Sequence, residues 1–553
     1  KDFKDIFEEL RLKGINIYYG RWIRGNDVRL ILVDANAFMN QEIEYNGRVD
    51  RRINHIKGEL WARHGVDSML MGYDFDEAVG WSTAVGHLIE KIVSKNPDKK
   101  IVTHFHEWLS GAGLLYFKRN KIRVATVFTT HATILGRSIA ATGADLSRMI
   151  HEGLKQGKTI DIHACYQHKV EGKHLMEVAC AKESDIFTTV SKTTAKEAEF
   201  IYGKKVDMVV PNALDFSKFP TVEKLSVSHA KNRLKIKKFL RTYFAPYYKI
   251  NLMGCLIFFI CGRYEFRNKG IDVYIKALSE LNKRLKKIAD SNEVYAFIWI
   301  PTAIKGPKES VMKNMVTFRR ILEIIDDELE QVKFNLIDIV TSREMDNIDI
   351  RSILSERFIA DCKSIGSQFK REGKPPLCAF DLLYDEDKDT IIRYLKQCGL
   401  TNAADDKVRV IFYPAYLTNA DQLLGLEYYD ALNGSDLGVF PSTYEPWGYT
   451  PAETAGLTTL AITTDQAGFG QFLLENTDQS KKPGIRVILR DEKSDEEVIA
   501  QLTAIMEEVT LMNKDTLVEK KISAREIAEL SDWRKQIVHY INAHNAAIHK
   551  VYK

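Results

Sequence analysis

Short apolar runs of four to eight residues, each followed by a helical pattern, recur along two long stretches of the chain. The first stretch, about 29–214, carries RLILVDA, IVTHFHEW, RVATVFTTHA, DIFTTVS and DMVVPNAL. Runs of this length, bounded by polar or helix-starting residues, predict parallel strands covered on both faces. The rhythm restarts at LIFFICGRY and continues through VYAFIWIP, VRVIFYPAYL, LGVFPST and TLAITT, which predicts a second parallel sheet. The expectation is therefore an α/β protein of two parallel-sheet domains.

Two segments break the rhythm. Residues 220–248 and 305–371 are rich in charge, helical in period and poor in strand signals, and are too long for ordinary loops. Helices projecting from the second domain account for them, although a solvated helix explains either segment equally well. The last stretch, SDWRKQIVHYINAHNAAIHKVYK, opens on a serine cap and places Trp533, Ile537, Tyr540 and Ile541 at helical spacing. It is expected to pack on a domain surface. The predicted boundaries are 1–218 for the first domain, rejoined by a helix over 530–553, and 219–529 for the second, with the insertion at about 305–371.

Length and composition fit this division. A chain of 553 residues exceeds one core, and 45% hydrophobic with 28% charged residues reads as globular. A net charge of +4, with both signs interspersed, gives no nucleic-acid or anionic-membrane footprint. The longest apolar run, Leu252 to Gly262, is far short of a bilayer span. Seven scattered cysteines lack the close pairs of metal sites or disulfide frameworks, and no charged-then-apolar leader opens the sequence. A cytoplasmic location is the expectation.

In open parallel sheets, ligands bind beyond the carboxyl ends of strands. His106 and Glu107 follow IVTHF, His131 follows VATVFTT, Asn212 follows MVVP, Arg263 follows LIFFICG, and Glu445 follows LGVFPST. A water-satisfied loop residue explains any one of them; their joint recurrence at strand ends is harder to dismiss. In GRYEFRNKG, Arg263 and Lys269 stand in a glycine-bounded loop leading into a helix, where cations and helix N-terminal amides favour the same anion. In FPSTYEPWGYTPAE, Thr450, Pro451 and Glu453 fit N-cap, N1 and N3 of a capping box. That box leaves Glu445 unexplained in its turn, while Gly448 permits a close approach to the backbone. A phosphate-seeking loop beside two carboxylates points to a nucleotide-sugar.

At these residues the chain resembles the eukaryotic-type glycogen synthases, retaining glycosyltransferases of family 3 with the GT-B fold, which implies two Rossmann-like domains facing a cleft, with the helical insertion in the second. FPSTYEPWGYTPAE, GRYEFRNKG, HFHEWLSG, FTTHATILGR and YGRW carry the resemblance, which extends from about Gly14 to Ile548 and is poor in the two charged helical segments. The two-glutamate spacing alone is shared by many retaining glycosyltransferases. The resemblance implies that Arg263 and Lys269 clamp the diphosphate of UDP-glucose and that Glu453 holds the ribose hydroxyls. Tyr416 and Tyr428 would sandwich the uracil, and Trp447, Gly448, Tyr449 and Thr450 would line the phosphate and glucose. From the first domain His131 and Arg137 would face the transferred glucose, with Glu445 on its hydroxyls near the reacting carbon. The implied reaction passes glucose to the 4-hydroxyl of a glucan end with retention, by front-face attack in which the departing diphosphate helps deprotonate the acceptor. No metal or other cofactor is implied, and no Asp-x-Asp at a strand end argues for a metal. A glycogenin-like primer and a homo-tetramer built through the 305–371 helices are the implied partners.

Two other functions stay open on the residues alone: a different retaining nucleotide-sugar glycosyltransferase, and a catalytically weak glucan-binding or oligomeric scaffold. Members of the family under sugar-phosphate control carry an arginine-dense helix before the SDW segment. Here that stretch has only Lys514, Lys520, Lys521 and Arg525, so strong activation by glucose-6-phosphate is not expected. The family also opens with a strand and a paired-glycine loop, which the initial KDFKDIFEEL lacks. Residues upstream of Lys1 are expected to supply it.

Overall fold

The computed structural model describes residues 3–23, 27–45, 47–289, 291–342 and 350–553. After a first helix, Lys4–Leu12, come two antiparallel pairs, β1 (Asn16–Trp22) with β2 (Val28–Asp34) and β3 (Glu42–Tyr45) with β4 (Arg48–Arg51). The run RLILVDA is thus a hairpin arm and not a strand of the parallel sheet. Most of its side chains are exposed, Ile31 and Leu32 among them. Periodicity alone does not separate the two cases, because an apolar ribbon and a buried strand share the same composition.

The first parallel sheet is β5 (Val102–His106), β6 (Ala125–Thr130), β7 (Ile186–Thr189) and β8 (Met208–Val209), in that spatial order. Its central strands are buried along their whole length, as strands covered on both faces must be. The second sheet takes β9 (Leu256–Cys261) and β10 (Val294–Trp299). A side pair, β11 (Ile304–Pro307) and β12 (Phe380–Leu382), stands apart from it. β13 (Val408–Phe412), β14 (Leu437–Val439), β15 (Leu460–Thr464) and β16 (Ile485–Ile488) complete a parallel sheet of order β13-β10-β9-β14-β15-β16. β16 is not among the expected strands; only its two end residues are fully buried, and its apolar run is short.

Residues 220–248 do not project. The helix Val222–Phe244 buries Leu225, Ile236, Phe239, Leu240, Tyr243 and Phe244 in the core of the second domain. At its side Arg233 Nη1 lies 2.7 Å from Asp436 Oδ2, and Lys521 Nζ lies 2.9 Å from Asp436 Oδ1. The Asp436 carboxyl is held well below the usual carboxylate range by these two cations, which outweigh its burial. Residues 305–371 behave otherwise. The long helix Glu309–Ser342 runs beside the helix Glu356–Phe369, with Phe318 and Phe369 rings 6.1 Å apart. Val316, Phe334, Ile337 and Val340 stay exposed along it.

The chain end returns to the first sheet. Asp532, rather than a serine, caps the helix Trp533–Val551 by accepting from the Arg534 N–H. Tyr540, Ala543 and Ala547 bury against Ala125, Val127, Ile186 and Val210, whereas Ile537 and Ile541 face outward. Small residues let this helix lie close on the sheet, and it brings His544 to the end of β5.

Candidate functional site

On the second-domain wall, the loop after β9 and the turn after β14 are tied together by the Thr443 N–H donating to the Asn268 carbonyl at 2.9 Å. Lys269 and Glu445 form an ion pair there, both largely buried. Beside the pair remains a void of about 10 Å³ lined by Cys261, Ser442, Gly448, Thr450 and Ala467, room for about one water. Arg263 does not share this pocket: it is two-thirds exposed and pairs with Glu265 at 2.9 Å. The two cations that the sequence places in one loop are therefore a largely buried lysine and an exposed arginine at the rim.

The turn opens a helix earlier than its sequence suggests. Gly448, at φ 98°, starts the helix Tyr449–Gly456, and no described side chain caps it. Thr450 thus lies inside the first turn and is no N-cap. A side chain at Gly448 would require a backbone that L residues rarely adopt, with its Cβ 3.0 Å from Glu445 Cγ. Uncapped amides at a helix start remain available to an anion. Glu453 is one turn further in and makes no capping box. Its carboxylate accepts from the Tyr428 and Tyr429 hydroxyls, each at 3.2 Å, and burial pushes its pKa up against these two bonds. Tyr428 also meets Cys261 Sγ at 3.7 Å, while Tyr416 is 78% exposed at the surface. Trp447 turns inward onto Phe469 and Phe472, so only its backbone is left to line a ligand. Tyr449 remains partly exposed.

The first-domain wall is built from imidazoles. His106 Nδ1 and His131 Nε2 are 3.0 Å apart, and the His106 ring stacks on His104 at 4.3 Å between centroids. His104 bonds Thr129 Oγ1 at 2.6 Å and His544 at 3.0 Å. Burial and the neighbouring rings lower these groups, His104 to about 3 and His131 to about 4, with His106 and His544 also lowered. At neutral pH the cluster is uncharged and offers one donor and one acceptor per ring.

Glu107 proves to be a support for this wall. It sits at φ 63°, unusual for a residue with a side chain, and its Oε1 accepts the His131 and Ala132 N–H groups at 2.7 and 3.2 Å. Arg137 is exposed on the helix that follows, Ile134–Ala141. Asn212 is buried just beyond β8. A groove of about 1170 Å³ runs from His104 and His106 past Trp108 to Tyr73 and Trp81, edged by Asp34, Asp74 and Glu77. Sequence reasoning missed His104, His544 and this groove. His104 alternates with His106 in THFH, two residues apart and so on one strand face, and that spacing was the available signal. His544 had none, since it lies 440 positions away in the chain.

The two walls meet. The Tyr444 hydroxyl donates to Glu197 Oε1 at 3.1 Å, and Thr194 Oγ1 reaches the Pro446 carbonyl at 3.4 Å. Tyr444 and Pro446 flank Glu445, and Glu197 also binds Thr133, two residues from His131. An ion-paired, anion-seeking wall thus faces a neutral, hydrogen-bonding one.

A family model described as "Glycogen synthase" matches residues 1–553. Glycogen [starch] synthase of Neurospora crassa is 31% identical over 562 aligned residues, covering 100% of this chain and 76% of that protein. Isoform 2 from Saccharomyces cerevisiae is 30% identical, covering 99% and 76%. The Caenorhabditis elegans protein is 31% identical, covering 98% and 78%.

Proposed function

The chain belongs to the glycogen synthase family, and from that membership we propose that it moves glucose from UDP-glucose to the 4-hydroxyl of an α-1,4-glucan with retention at the anomeric carbon. It is a glycosyltransferase with a nucleotide-sugar donor and a glucan acceptor; the base, the acceptor atom and the residue roles are our reading. The observation that carries it is the buried Lys269–Glu445 pair beside an uncapped helix start. A lysine there, with a helix start that no described side chain caps, suits a diphosphate whose charge grows as the bond to the anomeric carbon breaks.

In this reading the C1–O bond to the diphosphate breaks as the acceptor O4 bonds to C1 on the same face. The acceptor proton passes to the departing phosphate oxygen. Lys269 leaves Glu445 for the diphosphate, and the released carboxylate takes the glucose hydroxyls nearest C1. Arg263, long and exposed, closes onto the outer phosphate. Glu453 accepts from ribose hydroxyls in place of Tyr428 and Tyr429, and Tyr416 and Tyr428 offer ring faces to the base. His131 and Arg137 hold the glucose from the opposite wall, His106 orients His131, and the aromatic groove with its carboxylates receives the glucan. A cleft closed by the Tyr444 contact excludes water, the competing acceptor.

The exposed apolar positions on the helix Glu309–Ser342 support assembly into a homo-tetramer, the common route by which projecting helices cover such faces. A glycogenin-like primer and a cytoplasmic location belong to the same proposal. None of the described helices is long and apolar enough to cross a membrane. Calorimetric titration with UDP-glucose and ADP-glucose, beside a transfer assay on glycogen with and without a metal chelator, tests the reading. Tighter binding of UDP-glucose and chelator-resistant transfer are expected; no transfer from either donor would overturn it.

A further inference from the structure

The first domain sets three glutamates beneath the loop that carries His131, Glu177 and Glu197 buried and Glu107 half-buried. Glu107 takes the amides of His131 and Ala132, Glu197 Oε1 takes that of Thr133 at 3.2 Å, and Glu177 Oε2 takes that of Ile134 at 3.0 Å. Four consecutive N–H groups are therefore each held by a carboxylate, and the three acids come from three different helices. Burying two acids outright and a third in part is costly, and the amide donors offset part of that cost.

Glu197 does more than hold an amide. The same Oε1 accepts the Thr133 hydroxyl at 2.6 Å, and Thr133 Oγ1 in turn accepts the Gly136 N–H at 2.9 Å, capping the helix that bears Arg137. A Cβ at Gly136 would lie 2.4 Å from that oxygen, so the residue type at 136 makes the approach possible. The third donor to Oε1 comes from the other wall: the hydroxyl of Tyr444, next in the chain to Glu445.

We propose that Glu197 is a positioning residue that couples closure of the cleft to the geometry of the His131 loop, through the Tyr444 hydroxyl. The inference rests on the transferase reading for its kinetic consequence. One buried oxygen shares three donors, two fixed in the loop and one that leaves when the domains part. Loss of the Tyr444 bond leaves a buried carboxylate short of a partner, and burial already pushes Glu197 up to about 7 despite its bonds to Thr133 and Tyr444 and the nearby Arg137. Its hold on Thr133 then changes, and with it the register of His131 and Arg137. Closure and the ordering of the glucose-facing loop become one event.

The test uses Tyr444→Phe, which removes one oxygen from an otherwise unchanged ring, with Glu197→Gln and the double variant. Tyr444→Phe is expected to lower kcat about tenfold while KM for UDP-glucose stays within twofold and the thermal midpoint within a few degrees. The double variant is expected to lose no more than the worse single one. Amide hydrogen exchange at residues 131–134, measured on the protein without substrate, is expected to quicken severalfold in Tyr444→Phe. Unchanged exchange there, or multiplicative kcat losses in the double variant, would overturn the coupling. Should the wild-type protein transfer no glucose, the exchange measurement still judges the coupling while the transferase reading falls.

Discussion

The two walls of the cleft solve opposite problems with opposite means. The second-domain wall keeps charge in place: Lys269 and Glu445 satisfy one another in a space too small for more than about one water. The first-domain wall removes charge. His104, His106 and His131 are neutral through burial, and the three glutamates beneath them are all raised, Glu177 well above its ordinary value. The difference follows the substrate. A diphosphate needs a cation that is released on binding, whereas a sugar is met by the donors and acceptors of uncharged imidazoles.

The largest effect is expected where the charged wall loses its cation. Lys269→Ala should lower turnover by about 10²–10³, the scale for removing one preorganised group from developing negative charge. Arg263→Ala, at the rim, should cost less. Glu445→Gln should cut turnover more than it weakens UDP binding, and Glu453→Gln should do the reverse. Steady-state kinetics beside calorimetry with UDP separate these, and equal UDP losses in both glutamate variants would erase the division.

Next comes acid. The neutral wall should respond first, because its histidines are lowered from 6.5, His131 to about 4 and His104 to about 3, and the glutamates beneath them are raised, Glu197 to about 7. Between those values and 6.5 the histidines bind more protons in the unfolded chain than in the folded one, so their contribution is full above about 6.5 and falls as pH drops toward 4, while the raised glutamates beneath them bind more protons in the folded chain and oppose that loss. Each unit of lowering corresponds to about 1.4 kcal/mol. Asp436, lowered by Arg233 and Lys521, contributes stability that is lost only at far lower pH. Amide exchange between pH 7 and 4.5 should therefore change at the β5–β6 ends before it changes in the β9–β14 core. Simultaneous opening would show that the two walls are not separate units.

The site was legible in the sequence in proportion to how local its geometry is. His106, His131, Lys269 and Glu445 each follow an apolar strand, and strand ends are readable from periodicity. Thr450 was misread as a cap because nothing in PWGYTPAE reveals that Gly448 takes φ 98° and starts the helix earlier. Glu177 and Glu197 lie on helices whose polar positions pass for solvated faces, and only tertiary packing shows them buried. RLILVDA and the helix Val222–Phe244 erred in opposite directions, an apolar ribbon left exposed and a charged helix packed inward. Composition fixes how much of a segment is apolar, not which neighbour covers it.

The smallest expected effect concerns the back of the charged wall. A sugar-phosphate pocket needs several converging, uncommitted cations. On the helix Lys514–Ala528, Lys521 is buried on Asp436 and the Ser435 carbonyl, and Arg525 is buried with Glu529 and the Gly456 carbonyl. Lys520 donates to the Lys481 carbonyl at 3.1 Å. Recruiting Lys521 to a phosphate would strand Asp436 beside Arg233 alone, and breaking a buried pair costs about 3–5 kcal/mol. A weakly held phosphate at an exposed helix does not return that. The rate with saturating UDP-glucose and glycogen should therefore change less than twofold on adding glucose-6-phosphate. An activation of tenfold or more would mean that these cations are released on binding, and that the second-domain wall is as adaptable behind the cleft as it is within it.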